Sequence, residues 1–260
     1  MCRTLGCSRR TLTMVNDDEG HGERAALRGN PSFVWRAGQE RRLAMVRQAV
    51  ALEGRRVLDI GCGIGMYTAA FARYTPHVVG IEVELSRAIS AHTHVPRIAQ
   101  AVGEGLPFQS NVFDVVFSHE VLEHVRDDRV CAAEMVRVAR PGGHIAVFVP
   151  NRLYAFETHG IYWRGRYHFG NVPLVNWLPN PLRNRLAPHV RAYTARALRR
   201  LFDDLPVRTL VHTQIFPGFD NIVARKPGFG RLLQRTTYTL ERTPLRQMGL
   251  SHLLILQVTA

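Results

Sequence analysis

The stretch Val57-Leu58-Asp59-Ile60-Gly61-Cys62-Gly63-Ile64-Gly65 carries the strongest structural signal in the chain. Arg56 to Ile60 has the length and composition of a buried strand, and a helical pattern begins near Met66. The three glycines therefore fall in a turn between a strand and a helix. Glycine accepts positive φ angles and lets a ligand approach the backbone closely. The following helix presents free N–H groups and a positive dipole end, which suits a ligand with a charged tail.

The spacing of the glycines narrows the class of ligand. Dinucleotide-binding turns read G-x-G-x-x-G, whereas this turn reads G-x-G-x-G and follows an acid at the end of the strand. It resembles motif I of class I S-adenosylmethionine-dependent methyltransferases. The resemblance implies cofactor contacts from Asp59, Gly61, Cys62, Gly63 and Gly65. A tight turn that binds nothing is the alternative.

The second predicted strand, His77 to Ile81, also ends at an acid. Glu82 follows the glycine loop by about 20 residues, a distance at which a carboxylate can accept hydrogen bonds from both ribose hydroxyls. The methyltransferase family has an acid there for that purpose. Glu84, two residues later, is a competing candidate, and a carboxylate that only starts the next helix is the structural alternative.

The family resemblance continues through Leu106-Pro107-Phe108 and Phe113-Asp114-Val115. It implies that Gly103, Glu104 and Leu106 lie near the adenine of the cofactor, between a strand at 97–102 and a strand at 113–117. The family's usual acid for the adenine amino group is replaced by Val102. Glu104, two positions later, is a possible substitute.

The segment Ser118-His119-Glu120-Val121-Leu122-Glu123-His124-Val125 follows the fourth strand, where ligands bind in open parallel sheets. A helix that starts near Glu120 would place Glu120, Glu123 and His124 on one face. These side chains could bind Mg²⁺ or Mn²⁺, and the imidazole also tolerates Zn²⁺ or Fe²⁺. Two metal-dependent branches of the family, the ubiquinone-biosynthesis and small-RNA methyltransferases, have a similar E-x-x-E-H pattern. Alternatively, His124 packs within the fold, and the resemblance implies that His119 contacts the cofactor.

The family pattern extends to the turn Arg140-Pro141-Gly142-Gly143 and a fifth strand at 144–149, so five motifs match in order between residues 54 and 151. It implies a doubly wound α/β fold, with a seven-stranded, mostly parallel sheet and helices on both faces. A helix pair before residue 54, helices at 129–139 and 191–205 and strands at 207–215 and 251–258 complete the predicted elements.

Two segments depart from this core. Residues 1–30 are predicted to be disordered, and residues 31–260 to form the methyltransferase domain. Within it, residues 152–190 mix aromatic side chains with arginines and are predicted to form a substrate cap. His159 is the candidate base or metal ligand of this cap. A cap held only by its own packing is the alternative.

Composition limits the kind of protein. Of the 260 residues 46% are hydrophobic, yet no apolar run approaches the roughly 20 residues of a membrane span. The start lacks a secretory signal, and the four cysteines have no zinc or disulfide spacing, which predicts a cytoplasmic protein. The net charge of +13 is concentrated after residue 150. This asymmetry favours an anionic partner, such as nucleic acid or an anionic membrane surface, although a basic surface can also serve solubility alone.

These patterns lead to one principal function and two alternatives. The principal hypothesis is O-methylation of a small or lipid-like hydroxyl compound, with S-adenosylmethionine as methyl donor and Glu120, His124 and His159 as proton-handling residues. An RNA methyltransferase is the second hypothesis, and a catalytically silent S-adenosylmethionine-binding protein is the third. The absence of an N-P-P motif after the fourth strand argues against methylation of exocyclic amino groups on bases.

Overall fold

Buried apolar segments form a parallel sheet in the computed structural model, which describes residues 35–259. β1 (Val57–Ile60) pairs in parallel with β2 (Val78–Glu82) on one side and with β4 (Phe113–His119) on the other, and all four residues of β1 are buried. A strand covered on both faces has no solvent side, which explains why β1, apart from the buried Asp59, is apolar on both faces and does not alternate. The first five strands are β1 (Val57–Ile60), β2 (Val78–Glu82), β3 (Ile98–Gln100), β4 (Phe113–His119) and β5 (Ala139–Pro150).

The last two strands, β10 (Val207–Ile215) and β11 (Ser251–Val258), complete the large sheet, whose order is β10-β11-β5-β4-β1-β2-β3. The four short cap strands are β6 (Phe156–Glu157), β7 (Ile161–Trp163), β8 (Arg166–His168) and β9 (Val172–Pro173), and they form two separate two-stranded sheets, β6 with β9 and β7 with β8. β11 runs antiparallel to both β5 and β10. β10 is therefore parallel to β5 and ends at the same edge of the sheet. The seven-stranded, mostly parallel sheet expected from the sequence is confirmed.

Helices cover both faces of the sheet, and each face has its own apolar core. One core packs around Leu43 and Val46 of the first helix, and the other around Met135 and Leu198. The helices are α1 (Ala37–Ala49), α2 (Met66–Phe71), α3 (Leu85–His92), α4 (Asp128–Val138), α5 (Asn180–Leu186), α6 (Ala195–Arg200), α7 (Asp220–Arg225) and α8 (Pro227–Leu240). A 3₁₀ helix at Pro244–Met248 precedes β11.

Two predicted helices differ from the structure. The described part of the N-terminal region holds the single helix α1 where a pair is expected. The helix expected over 191–205 is shortened to α6, because Tyr193 is drawn into a bridge with Asn151 at the end of β5. The hydroxyl of Tyr193 also donates to the carbonyl of Leu122 at 2.9 Å, which keeps residues 191–193 extended. The segment 1–30, expected to be disordered, lies outside the described residues.

The two elaborations both lie at the carboxyl edge of the sheet. The cap at 152–190 follows β5 and contains four short strands, a 3₁₀ turn at Val175–Trp177 and α5. The second elaboration, α7 and α8, follows β10. Within residues 35–259, no helix is both long and apolar enough to cross a bilayer.

Candidate active site

The loop after β1 requires its glycines because all three have positive φ angles and because two of them lie very close to other residues. Gly61, Gly63 and Gly65 all have positive φ angles, of 67°, 58° and 84°. A Cβ on Gly61 would lie 2.4 Å from the side chain of Val121, and one on Gly65 would lie 3.1 Å from Ala91. On Gly63, in contrast, a Cβ would meet no heavy atom of the described chain within 4 Å. Gly63 is thus the loop position that faces open space.

The two acids at the strand ends have different surroundings. Asp59 is buried and accepts a hydrogen bond from the Thr68 hydroxyl at 2.6 Å, and burial raises its pKa to about 7. Glu82 accepts hydrogen bonds from the backbone N–H groups of Gly63 and Glu84, each at 2.9 Å. Asp59 therefore braces α2 against the strand, while Glu82 holds the glycine loop. Glu84 accepts a hydrogen bond from the Ser86 hydroxyl and forms an ion pair with Arg87, so it belongs to the start of α3.

An apolar strip lies beside Glu82 at the same edge. Val83 and Val102 are 39% and 47% exposed, and the Gln100 amide links their segments by donating to the Val83 carbonyl at 3.1 Å. Exposed apolar side chains at two adjacent strand ends suit the flat faces of a base, and the carboxylate of Glu82 lies beside them. Together with the open space at Gly63, this arrangement fits the nucleoside part of S-adenosylmethionine.

Several side chains expected at the cofactor are used elsewhere. Glu104 accepts the N–H of Arg126 at 2.7 Å through one carboxyl oxygen and orders the loop before α4, and its contact with the adenine stays a prediction. The side chains of Cys62 and Leu106 are buried, and a Cβ on Gly103 would lie 2.7 Å from the sulfur of Cys131. The structure leaves these residues near the strand ends but buries the side chains of Cys62 and Leu106.

Buried polar atoms without partners collect where β4 ends. The ring of His119 packs 4.9 Å from that of Tyr67, and burial lowers the pKa of His119 to about 4. Five buried groups in this region have no hydrogen-bond partner among residues 35–259: Tyr67 Oη, Ser118 Oγ, His119 Nε2, His124 Nδ1 and both carboxyl oxygens of Glu123. Leaving a buried polar group unsatisfied costs about 1–3 kcal/mol. Such a concentration indicates a place that a bound molecule completes.

The segment after β4 is a turn and not the predicted helix. Glu120 has a φ of 57°, and residues 122–124 form a turn closed by the His124 N–H donating to the Val121 carbonyl at 2.9 Å. Val121 lies against Gly61, so the chain must bend sharply at Glu120 to clear the glycine loop. A non-glycine residue at positive φ is uncommon and costs on the order of 1 kcal/mol. The strain therefore lies at a predicted site residue.

The turn and the cap bring four predicted residues together. His159 Nε2 lies 3.5 Å from Glu120 Oε2, and the rings of His124 and His159 are 5.3 Å apart. Glu123, His124 and His159 each offer one ligand atom within 4.8 Å of the others. The structure thus groups Glu123 and His124 with His159 of the cap, and Glu120 contacts the same imidazole.

The charges of this group are strongly interdependent. Burial opposes protonation of His159, but hydrogen bonds with Glu120 and Glu157 outweigh it and raise its pKa to about 10. Burial also raises the pKa of Glu120, but the bond with His159 prevails and lowers it to about 2. Burial and the Glu120 carboxylate together raise the pKa of Glu123. His124 is the neutral imidazole of the group, because burial lowers its pKa to about 4.

The cap holds His159 from several directions. Glu157 Oε1 lies 3.1 Å from His159 Nδ1 and also accepts its backbone N–H at 3.0 Å. The Tyr167 hydroxyl donates to the backbone carbonyl of His159 at 2.5 Å, and His189 Nε2 lies 3.2 Å from the same oxygen. The position of this imidazole is therefore fixed by the folding of the cap.

Glu157 is itself held by a buried cation. Arg183 of α5, 3% exposed, donates to the second oxygen of Glu157 at 2.7 Å and to the carbonyl of Val190 at 2.7 Å. It also donates to the side chain of Asn176 at 3.3 Å. An ion pair this deeply buried is stable only when its remaining donors and acceptors are bonded, as they are here.

Comparison with known proteins shows what the core is similar to. Residues 58–147, about a third of the chain, match the family model described as a methyltransferase domain. The matched residues begin at the second residue of β1 and end within β5, so they include the glycine loop, Glu82 and the turn at Glu120.

The relatives match only part of this chain and only part of their own length. A ubiquinone biosynthesis O-methyltransferase of Rhizobium johnstonii is 34% identical over 139 residues, 51% of this chain and 53% of that protein. One from Hahella chejuensis is 36% identical over 118 residues, 43% of this chain and 50% of that protein. The chain thus spans about half the length of the curated relatives it matches. An S-adenosylmethionine-dependent methyltransferase structure from Mesorhizobium loti shares the fold, with a TM-score of 0.58, 17% identity and coverage of 85% and 97%.

Sequence reasoning missed the partners that hold His159. Glu157 lies two residues before the histidine and could have been noticed as a Glu-x-His pattern, but Arg183 gives no local signal. Tyr67 and Ser118 are two further residues that the motifs do not single out, and their buried hydroxyls have no partner among the described residues. Only the folded chain brings these residues to the carboxyl edge of the sheet.

The buried ion pair between Arg183 and Glu157 leads to a prediction about the stability of the cap. Changing Arg183→Met should destabilise the cap by about 3–5 kcal/mol, because Glu157 would keep a buried charge without its cation. Glu157→Gln alone should also destabilise the cap. The loss of stability in the double variant should be smaller than the sum of the losses in the two single variants. Hydrogen exchange over residues 152–190 measures the effect. Strict additivity would show that the pair contributes no coupling.

Proposed function

We propose that this chain transfers a methyl group from S-adenosylmethionine to a hydroxyl oxygen of a small or lipid-like acceptor. The observation that carries the proposal is the group of buried, unpartnered polar atoms at the end of β4, next to the cluster of Glu120, Glu123, His124 and His159. The matched methyltransferase domain and the O-methyltransferase relatives support the choice of donor and of oxygen as the acceptor atom.

The cofactor supplies an electrophilic methyl group on a sulfonium. The chain's own residues then have three tasks. The glycine loop and Glu82 hold the nucleoside end, the buried groups around His119 keep water from the methyl group, and the cluster takes the acceptor's proton. The acceptor oxygen forms the new bond to carbon, the C–S bond breaks towards sulfur, and the proton moves to the protein.

His124 and Glu120 are the residues we propose for the proton. His124 is neutral and its Nδ1 is unpartnered among the described residues, so this atom can accept a proton without losing a bond. Glu120 is ionised but bonded to His159. His159, held between two carboxylates, is better suited to orienting Glu120 and compensating its charge than to acting as the base.

Calorimetric titration with S-adenosylmethionine and S-adenosylhomocysteine tests the donor. Micromolar binding, followed by methyl transfer in a screen of phenols, catechols and lipid-linked hydroxyl compounds, would support the proposal. Folded protein that binds neither ligand would overturn it and favour an interaction protein. Binding with transfer only to RNA would favour the RNA reading, which also requires affinity that falls steeply with salt.

We further propose that Glu123, His124 and His159 can hold a divalent metal. One carboxylate and two imidazoles fit Zn²⁺, Mn²⁺ or Fe²⁺ better than Mg²⁺, which prefers oxygen ligands. Because an imidazole that binds a metal has to be neutral, metal binding would release the proton that His159 otherwise holds, and the bound metal would lower the pKa of a coordinated hydroxyl. If the site is used, treatment with a chelator should remove most of the activity, and Zn²⁺ or Mn²⁺ should restore it. Glu123→Gln should weaken Mn²⁺ binding measured by electron paramagnetic resonance. Activity that survives both the chelator and Glu123→Gln would contradict a metal role.

The remaining expectations concern location and partners. The cytoplasmic location stays a prediction. So does contact between nucleic acid and the arginine-rich C-terminal part. The acceptor is proposed to be a small molecule, in keeping with the names of the O-methyltransferase relatives.

A further inference from the structure

The helical hairpin formed by α7, α8 and the two residues after them, 220–242, lies at the same edge of the sheet as the candidate active site. It follows β10, whose end is at the carboxyl edge, and it returns to β11, which begins beside the site: the hydroxyl of Ser251 lies 3.4 Å from Glu120 Oε1. The hairpin is not part of the residues matched by the family model. The role of the hairpin therefore has to be inferred from the residues on its own surface.

One face of the hairpin is firmly attached to the protein. A Cβ on Gly230 would lie 2.6 Å from the Val223 backbone, so the two helices are in close contact. The guanidinium of Arg41 in α1 lies 3.9 Å above the ring of Tyr238, and the Gln234 amide donates to the Gly218 carbonyl. The hairpin is thus anchored on α1 and presents its other face outwards.

The outward face is apolar at its centre. Phe229 and Leu232 are 59% and 63% exposed and lie three residues apart in α8, which puts them on neighbouring positions of one helix face. Single exposed apolar residues are common, but two large ones side by side, on a helix whose opposite face is already packed, form a patch. Moving these apolar side chains out of water would be favourable.

The charges of the hairpin are segregated. Its two acids face α1: Asp220 accepts from the N–H of Gly38 at 3.4 Å, and Glu241 pairs with Arg41 and accepts from the N–H of Phe216. The cations are exposed, and their side chains have no ion-pair or hydrogen-bond partner within the described chain. They are Arg225, Lys226, Arg231, Arg235 and Arg242.

We propose that the α7–α8 hairpin docks on an anionic lipid bilayer, with Phe229 and Leu232 entering the interface and the cations lying at the headgroup phosphates. A helix with an apolar stripe flanked by arginine and lysine is the form that binds in the plane of such an interface. Each basic residue near an anionic leaflet adds to the attraction. A nucleic acid would satisfy the cations but leave Leu232 in water, so the bilayer is the partner that accounts for both features.

The docked orientation has a consequence for the site. A groove of about 590 Å³ opens between the cap and the 3₁₀ helix at 244–248, lined by Leu153, Trp177, Leu245 and Met248 among others. It lies at the same edge as the hairpin. Docking would turn this apolar groove towards the lipid, from which a hydrophobic acceptor could enter. The docking itself does not depend on the proposed methyl transfer and is tested without cofactor.

Co-sedimentation with vesicles tests the proposal. The full chain should bind vesicles of 70% phosphatidylcholine and 30% phosphatidylglycerol at 50 mM salt and bind pure phosphatidylcholine about tenfold or more weakly. Phe229→Ser with Leu232→Ser, and separately Arg231→Glu with Arg235→Glu, should each weaken binding to the anionic vesicles by about tenfold. Hydrogen exchange should show the anionic vesicles protecting residues 225–236 of the unaltered chain, a readout that survives if a variant fails to fold.

Two matched controls separate this surface from general effects. Leu85→Ser with Ile89→Ser removes two exposed apolar residues of α3, at the far end of the sheet, and Arg97→Glu with Arg208→Glu makes the same charge change at the amino edge. Both controls should bind within about twofold of the unaltered chain. The proposal fails if the unaltered chain ignores the anionic vesicles, if the controls weaken binding as much as the hairpin variants, or if only RNA is bound.

Discussion

His159→Ala should lower the turnover number for methyl transfer by about 10²–10⁴-fold, the usual size of a contribution from proton handling. Glu120 would lose the hydrogen bond that keeps it ionised, and the buried carboxyls of Glu120 and Glu123 would be left facing each other without a cation. The ionised Glu120, one of the two proposed proton acceptors, would then be lost. Initial rates of methyl transfer to an acceptor found by the screen measure the effect.

His168→Ala is the matched control, because His168 is an exposed histidine of β8 in the same cap. It should leave the turnover number within about twofold, since it removes only surface packing. Binding of S-adenosylhomocysteine should be unchanged in both variants, because neither residue lies beside the glycine loop. Turnover by His159→Ala close to that of the unaltered chain would show that the cap does not take part in the reaction.

Gly63→Arg should weaken S-adenosylhomocysteine binding by a factor on the order of 100, or roughly 3 kcal/mol. Gly63 faces the open space of the loop, so its new side chain would enter the region proposed for the cofactor. The positive φ of 58° adds backbone strain of about 1 kcal/mol for any residue with a Cβ. Titration calorimetry measures the loss of affinity, and circular dichroism checks that the protein stays folded.

Gly54→Arg provides the control for strain alone. Gly54 has a φ of 70° and, like Gly63, would meet no described heavy atom within 4 Å, but it lies before β1 at the opposite edge of the sheet. It should therefore destabilise the fold by a similar amount while affinity for the ligand stays the same. Equal loss of affinity in both variants would mean that strain, and not occupation of the cofactor cleft, is responsible.

The core of the fold could be read from the sequence because its signals are local. The run from Val57 to Gly65 contains a buried strand, its closing acid and a turn that needs positive φ, all within nine residues. The later strands are also mostly apolar, since a strand covered on both faces has no solvent side to which polar residues could alternate. The order of these segments then limits the topology, and the sheet has the predicted seven strands.

The candidate site was predicted only in its parts. Glu82, Glu123 and His124 lie close to where their motifs suggested, but the helix expected at Glu120 is a turn, because Val121 has to fit against Gly61 on a different strand end. Glu104 was a possible adenine contact, yet its carboxylate is bonded to the backbone of the next loop. Neither outcome is visible in the composition of the segment itself.

The sequence by itself determined the sheet, the glycine loop and the acids at the strand ends, because each depends on neighbours a few residues away. The tertiary structure alone decided that His159 meets Glu120 across 39 positions of the chain, that Arg183 secures Glu157, and that the cations of the α7–α8 hairpin all face outwards. Such contacts form between segments whose separation in the chain says nothing about their distance in space. Burial and charge pairing, which set the chemistry of the site, follow from that distance.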